Sequence, residues 1–591
     1  MLTPSPFRLP RKSPFGLAEH VAEWATGLSQ LDKFYHRRPA QCTSAEFLRF
    51  TLDVLDIEYR VTKGSMAHVP HSGATIVVAN HPLGCIEGVI LAELLLSVRN
   101  DVKILANHYL KTVPELDELF IGVDVFAKDS SNSANLAALR QAHKHLAQGG
   151  ILLMFPAGEV SQWVHHKNQV SNKTQRIEDK EWSQSVSRLV KKHQATVLPV
   201  YIDGQNSKRF YMAGKIHPLL RTLLLGRELL KKKQTCIELA IGETIASQEV
   251  ASLDDQQLVN YLRLNTYLLQ DQHKIVRDKT QQDTSLPPVV QRLSLDVLLH
   301  NINTLPPECH LLDHQQFTVY CASSEQIPAL LHEIGRVREL NFRQVGEGTG
   351  LALDIDPFDR DYLHLFIWDR EKQVLVGAYR LGLVDKLVAR NGIRSLYTST
   401  LFHYEQQFID SMGQSIELGR SVIDSAYQKN VAPLLLLWKG IATYIDRNPE
   451  YTHLFGPVSI SSDYSAKARQ LLADTMTLHY YDQNQASLVK ACHPLTPNHQ
   501  LWNANLLSAL ADLQLLSRMI ARIDNGKGIP VLLRQYLGLN GRLVCFNVDP
   551  DFNDCLDGLI VVDLRQVPMR SLARYMGATA AQRYLALHNH E

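Results

Sequence analysis

The chain has 591 residues, with 61 Lys and Arg against 60 Asp and Glu and a net charge of +1. That length exceeds one hydrophobic core and asks for at least two domains of roughly 100–200 residues, while the balanced charge excludes a global field for nucleic acid and leaves any basic surface local. Eight cysteines without a Cys-x-x-Cys pair fit neither a disulfide framework nor a zinc knuckle, and no run approaches the ~20 apolar residues of a bilayer span, so a soluble or membrane-face protein of a reducing cytoplasm is expected.

Residues 1–45 read as an N-terminal extension. The first sixteen are Pro-rich and carry Arg8, Arg11 and Lys12, but no apolar h-region follows, so no secretory signal is expected. From 46 to 275 strand and helix signals alternate. Residues 75–79 (TIVVA) form a β-branched run ending in Asn80-His81-Pro82, and 89–97 read as an apolar helix. Strand signals recur at 102–105, at 151–155, which Pro156-Ala157-Gly158 closes, and at 196–202, with a helix at 133–148. This order predicts an α/β domain.

In NHPLGCIEG, His81 leaves a buried strand and Glu87 lies six residues on, near the start of a helix. A carboxylate on one imidazole nitrogen fixes the tautomer and frees the other nitrogen to take a proton from a hydroxyl. Pro82, Gly84 and Gly88 suit the tight turn between them. The same spacing is also that of a plain structural hydrogen bond, and spacing alone leaves both open.

The stretch resembles the glycerolipid acyltransferase superfamily, in its hemolysin-like, ornithine-lipid branch. The resemblance continues through Ala106-Asn107-His108, Val113-Pro114-Glu115-Leu116, Phe155-Pro156-Ala157-Gly158-Glu159, Trp182-Ser183, Leu198-Pro199-Val200 and Arg227-Glu228-Leu229-Leu230. It implies that His81 is the general base, that Glu87 orients it, and that Asn80, Phe155, Pro156, Gly158 and Glu159 bind substrate. Two positions depart from the superfamily. Its usual Asp five residues after the His is here Ile86, with Glu87 one further, and its Phe-Pro-Glu-Gly block appears as Phe-Pro-Ala-Gly-Glu. Glu159 reads equally as a turn carboxylate. The usual phosphate-reading Arg has no counterpart in 121–128, where Lys128 stands instead, which favours an acceptor without phosphate.

Residues 219–233 (LLRTLLLGRELLKKK) interleave aliphatic and basic residues, as an ordinary surface helix or one lying on anionic lipid does. His143, His145, His165 and His166 lack further ligands at metal spacing, so solvent-facing histidines and no metal site are expected. The polar run 277–285 (RDKTQQDTS) before Pro287-Pro288 places a linker at 276–290.

The second domain, 291–591, again mixes strands (363–368, 373–379, 454–460) with helices (327–340, 433–445), and 501–523 carries a one-faced apolar stripe read as a core helix. From 334 onward the chain runs EIGRVRELNFRQVGEGTG, DIDPFDRDYLHLFIWD, VGAYRLG and IELGRSVID. Carboxylates can hold or deprotonate the ammonium of an amino acid, and arginines can bind its carboxylate. A buried Asp, Glu and Arg network that organises the fold would use the same residues. The order of Arg338 with Phe342, Asp356 with Asp359, Arg380, and Glu417 with Arg420 resembles the acyl-carrier-using branch of the GNAT-like fold, that of N-acyl amino acid and ornithine N-acyltransferases. It implies Glu417 as the acid/base group and the other six as substrate-binding. Gly346-Glu347-Gly348-Thr349-Gly350 is read as a turn, because its acidic neighbourhood repels phosphate, which favours a carrier-protein donor. Blocks 528–536 and 546–550 share the resemblance.

Taken together the domains are similar to bifunctional ornithine lipid synthases. The resemblance implies an α/β chain of two domains. The second moves a 3-hydroxyacyl group from acyl carrier protein onto an amino acid, ornithine, and the first O-acylates the exposed hydroxyl of the lyso-aminolipid. It implies no cofactor beyond the acyl carrier protein co-substrate, no nucleic acid, and a place on the cytoplasmic face of a bacterial inner membrane. A lysophospholipid acyltransferase fused to an N-acyl amino acid synthase, and a non-catalytic lipid- or carrier-binding scaffold, are the alternatives.

Overall fold

The computed structural model describes residues 5–10, 16–123, 133–165, 175–216, 218–270, 286–496 and 502–588. Lys128, His166 and the run 277–285 lie outside these. The chain divides into two compact units, Met1–Ile275 with Leu501–Leu515, and Val276–Gln500 with Leu516–Glu591.

In the first unit, strands β1 (Ile57–Lys63), β2 (Thr75–Ala79), β3 (Val102–Asn107), β4 (Phe120–Val123), β5 (Ile151–Met154), β8 (Thr196–Ile202) and β9 (Thr235–Ile241) form one sheet in the order β1-β9-β8-β2-β5-β3-β4. Two short strands, β6 (Gln162–His165) and β7 (Gln175–Glu178), pair apart from it. β2 lies between β5 and β8, parallel to both, and all five of its residues are buried. A strand covered on both faces needs apolar side chains on both, which is why it reads as a continuous TIVVA run. The helix Ile86–Leu96 is buried at Ile86, Glu87, Ile90, Leu91, Leu94 and Leu95. It starts three residues before the expected helix, which puts Glu87 in its first turn. Because β2 and β5 are parallel neighbours, the loops at their carboxyl ends meet, where open α/β sheets bind ligands.

The second unit is built on an eight-stranded sheet of β10 (His310–His314), β11 (Phe317–Ser323), β12 (Leu363–Asp369), β13 (Val374–Leu383), β15 (Ser415–Ile423), β16 (His453–Ile460), β18 (Arg542–Asp549) and β19 (Cys555–Asp563), in the order β10-β11-β12-β13-β15-β16-β19-β18. A separate pair joins β14 (Phe402–Tyr404) to β17 (Val489–Ala491). The helix Pro328–Gln344 packs Leu330, Ile334 and Val337 against Phe366 and Ala378. Neighbours in the large sheet are antiparallel except β15 and β16, which pair in parallel only from Ser415↔His453 to Glu417↔Phe455. Gly456 then passes so close to the Leu418 carbonyl that a Cβ there would lie 2.1 Å from its oxygen. Beyond this point the pairing stops, although β15 runs on to Ile423 and β16 to Ile460.

Two expectations are corrected. The stripe at 501–523 is not one helix: a 3-10 turn spans Ser508–Ala511 and the α-helix covers Leu513–Ile523. Asp512 accepts the N–H groups of Gln514 and Leu515 and so caps a new helix there. Leu506, Leu507, Leu510, Leu516 and Ile520 are buried, as a core stripe should be. His143 and His145 do not face solvent freely: His143 Nδ1 lies 2.8 Å from His193 Nε2, and His145 Nε2 lies 2.9 Å from the Ile151 carbonyl. Among the described residues no helix is long and apolar enough to cross a membrane.

Candidate active sites

In the first unit, His81 leaves the end of β2 with its ring tilted against Phe155, centroids 4.4 Å apart. Its Nδ1 lies 3.0 Å from Glu87 Oε1, at an angle short of a straight hydrogen bond. Glu87 is fully buried, and its carboxylate accepts the N–H groups of Leu83 (2.8 Å), Gly84 (2.6 Å) and Cys85 (3.0 Å). These donors lead into the helix and have no helical carbonyl to bind, and the helix dipole there also favours an anion. Burial pushes the carboxyl up, but His81 and the loop N–H groups outweigh it and hold the group below its usual range. One side chain thus anchors the loop and faces the imidazole it carries. Gly84 takes φ +91°, and a Cβ there would lie 2.5 Å from Leu225 and 2.7 Å from Val160, so the loop needs glycine.

Asp179 fixes the same loop from the other side. Its Oδ1 accepts the His81 N–H (3.2 Å) and the Ser161 hydroxyl (2.5 Å), and its Oδ2 accepts Trp182 Nε1 (2.9 Å). The His81 carbonyl accepts the Ser161 N–H at 2.9 Å, which ties the β2 loop to the β5 loop. Two residues before Ser161, Glu159 pairs with Lys180 and with the buried Arg221. With Nδ1 turned to Glu87, the other ring nitrogen of His81 is the one that can take a proton from a hydroxyl.

In the second unit the acids and arginines singled out in the sequence converge. Arg338 and Arg380 are fully buried. Arg338 donates to Asp359 at 2.7 Å, and Arg380 Nη1 donates to both oxygens of Asp356 at 2.7 and 2.8 Å. Asp356 caps the turn Pro357–Arg360. Arg420 Nη2 is 3.5 Å from Asp356 and its Nε 3.7 Å from Asp354. Despite burial, the two guanidinium groups hold Asp359 well below the usual carboxylate range. Glu417 is buried as well: it accepts the Thr398 N–H at 2.7 Å and the Tyr362 hydroxyl, and burial raises its carboxyl.

Where β15 and β16 part, a cleft of about 780 Å³, counted out through its mouth, is lined by Phe342, Tyr397, Leu418–Ser421, Pro457, Ser459 and Tyr536, and also by Glu347, Asp549, Cys555 and Asp557. Arg420 enters it from a backbone at φ 50°, a strained region for a non-glycine residue. The register shift between Ala378 and Arg380 lies directly across from it.

A family model described as Acyltransferase matches residues 33–275, and one described as Acetyltransferase (GNAT) domain matches residues 337–439. The chain is an acyltransferase. This acyltransferase is 29% identical over 266 residues to a glycine N(alpha)-acyltransferase of Bacteroides thetaiotaomicron, an alignment covering 42% of this chain and 78% of that one. It is 29% identical over 211 residues to a lyso-glycine lipid O-acyltransferase of Phocaeicola vulgatus, covering 34% and 70%. The solved AHL synthase LasI aligns over 27% of the acyltransferase and 78% of its own chain at 14% identity, with a TM-score of 0.18.

Of the residues singled out in the acyltransferase's sequence, His81, Glu87 and Phe155 stand together. Asn80 commits both polar ends to the Ile202 backbone (2.9 and 2.7 Å), joining the ends of β2 and β8. Pro156 and Gly158 shape the turn before Glu159, with Gly158 at φ +68° and its N–H on the Phe155 carbonyl. In the GNAT unit, Phe342 and Arg420 line the main cleft, Asp356 and Asp359 border a separate hollow, and Arg338, Arg380 and Glu417 line neither. Sequence reasoning missed Asp179, Lys180 and Arg221. It also missed Asp557, and it read Glu347 as part of a turn. For Asp179 the signal was its place three residues before the Trp182-Ser183 block. For the cleft carboxyls no local signal existed, because distant segments bring them together.

Proposed function

We propose that the chain makes a diacylated amino-acid lipid in two steps. In the GNAT unit the α-amine of an amino acid, ornithine, attacks the thioester carbon of a 3-hydroxyacyl group on acyl carrier protein. A C–N bond forms, the C–S bond breaks, and the amine proton leaves with the carrier thiol. In the first unit His81 then takes the proton of the 3-hydroxyl as its oxygen attacks a second acyl thioester, and the imidazolium returns that proton to the departing thiolate.

The observation that carries this reading is the pairing, in one chain, of the His81–Glu87 site with an Arg420-bearing cleft. Likeness to an N-acyltransferase of glycine and to an O-acyltransferase of lyso-glycine lipid adds to it, since those two names describe consecutive steps on one product. They also favour glycine as a second reading of the acceptor. A place on the membrane face is supported by Leu17, Val21 and Trp24 on the helix Leu17–Thr26 and by Met212, Ile216, Leu220 and Leu223 on the helices Lys208–Ile216 and Pro218–Lys231, all exposed. Lys208, Arg209, Lys215 and Arg227 on the same two later helices are exposed beside them. Apolar side chains among cations suit an anionic lipid surface.

Expression in a bacterium lacking aminolipids, followed by lipid mass spectrometry, tests the reading. A phosphorus-free amino-acid lipid bearing an amide-linked and an ester-linked chain is the expected product; good expression with no new lipid would refute it.

A further inference from the structure

The cleft of the GNAT unit gathers three carboxyl groups, Glu347, Asp549 and Asp557, beside one guanidinium, that of Arg420. Asp549 and Asp557 lie on the hairpin β18–β19, where Asp549 pairs with Cys555, two residues from Asp557. One ligand atom each from Asp549, Cys555 and Asp557 lies within 4.8 Å of the others, and all three residues are buried. Their partners are neutral donors: Asp557 accepts the Ser459 hydroxyl at 2.6 Å, with the Cys555 thiol at 3.7 Å, and Asp549 accepts the Asp551 N–H at 3.0 Å. Glu347 lines the same cleft. Burial, together with neighbouring acids, pushes both Glu347 and Asp557 up to about 7. Buried carboxyls behave so when no cation compensates them.

A second observation points to a ligand of both signs. Arg420 lines the cleft with its side chain nine-tenths buried, and although Asp354 and Asp356 lie 3.7 and 3.5 Å away, its Nε makes no hydrogen bond. Its guanidinium carbon lies 5.1 Å from the Tyr397 ring and 4.8 Å from the Phe552 ring, held in place by two aromatic faces. A guanidinium with an unused donor and carboxyls whose own hydrogen bonds come from neutral groups, lining one cleft, match a zwitterion.

Resting on the proposed function, we infer that Glu347, Asp549 and Asp557 form an ammonium subsite that takes the side-chain amine of the acceptor amino acid, with Arg420 holding its carboxylate. A primary ammonium brings three N–H donors to three carboxyls, and its charge offsets the cost of burying them. The α-amine, between these anchors, is left free to attack the thioester. An acceptor without the second amine leaves the acids unanswered, so the trio selects against it; a site built for a polar group rejects the analogue lacking it far more strongly than an apolar pocket rejects a missing methylene. The same acids repel phosphate, which keeps anionic acceptors out.

The test uses the full chain with 3-hydroxyacyl carrier protein and compares ornithine with norvaline, the same carbon skeleton without the side-chain amine, and with glycine. The wild type is expected to favour ornithine over norvaline by roughly 100-fold or more in kcat/KM. Asp557→Asn and, independently, Glu347→Gln at the less buried position are each expected to lower that ratio at least tenfold. Amide formed equally from norvaline and ornithine, or a ratio the variants leave unchanged, overturns the subsite while the two-step function stands. No amide from any amino acid overturns the function and the subsite with it. One zinc ion per chain, with activity lost on chelation, would assign the acids to a metal and overturn the inference.

Discussion

Glu87 Oε1 lies 3.0 Å from His81 Nδ1 while accepting the N–H groups of Leu83 and Gly84, so the group that faces the imidazole also builds the loop that carries it. Glu87→Gln puts an amide nitrogen against one of these donors. It is expected to lower O-acylation roughly 100-fold and stability by about 1–3 kcal/mol, while N-acylation persists. Separate assays of the two reactions and a denaturant titration check this; equal loss of both reactions would point to unfolding instead. Because the folded carboxyl titrates below its unfolded value, its contribution is full above the ordinary Glu range and is lost as pH falls through the lower folded value. The variant should lose that part of the acid slope.

Asp179 touches the His81 backbone rather than its ring, so it acts by position. Asp179→Ala leaves the His81 and Ser161 N–H and O–H donors and the Trp182 indole without their shared acceptor. The expected result is at least a tenfold drop in kcat for O-acylation with little change in KM. Asp179→Asn, which keeps one oxygen, should recover part of it. A change confined to KM would contradict a positioning role.

His364 in the GNAT unit is buried, and burial lowers its imidazole to about 4. The unfolded chain protonates it near ~6.5, so between these values the unfolded state binds the extra proton. Stability is therefore full above ~6.5 and declines as pH falls toward 4. Thermal melting across this window should show the decline, and His364→Gln should flatten it; an unaltered slope would contradict the assignment.

Trp24 and Leu223 stand among the exposed apolar side chains of the first unit. Replacing both with Ser is expected to weaken sedimentation with anionic vesicles by roughly tenfold or more, since burying each such side chain is worth about 1.5–3 kcal/mol. Raising the salt should weaken binding further through the basic residues beside them. Unchanged binding would contradict a docking face here.

Much of this was legible because it is local. The TIVVA run declared β2, and His81 and Glu87 are close enough in sequence for one turn to join them. The acid falls one position later than in the resembled superfamily, yet in the first turn of Ile86–Leu96 it still reaches the imidazole. Asp179 was marked only by its place before Trp182-Ser183, and its partner was not legible, because 98 residues separate it from the backbone it holds. Nor were the cleft acids: Asp557 meets Ser459 only through the long-range pairing of β16 with β19. The family resemblance singled out Arg338, Asp359 and Arg380, but spacing could not tell a cleft lining from the buried frame that they form. The stripe at 501–523 misled because helical periodicity says nothing of Asp512, whose side chain caps a new helix within it.

The central claim is the order of two acylations, and lipid profiles of His81→Ala test it most directly. Expressed in a host without aminolipids, this variant should accumulate the monoacyl amide of the amino acid, with the diacyl lipid absent. Loss of the amide together with the diacyl lipid, from a variant that melts like the wild type, would contradict it.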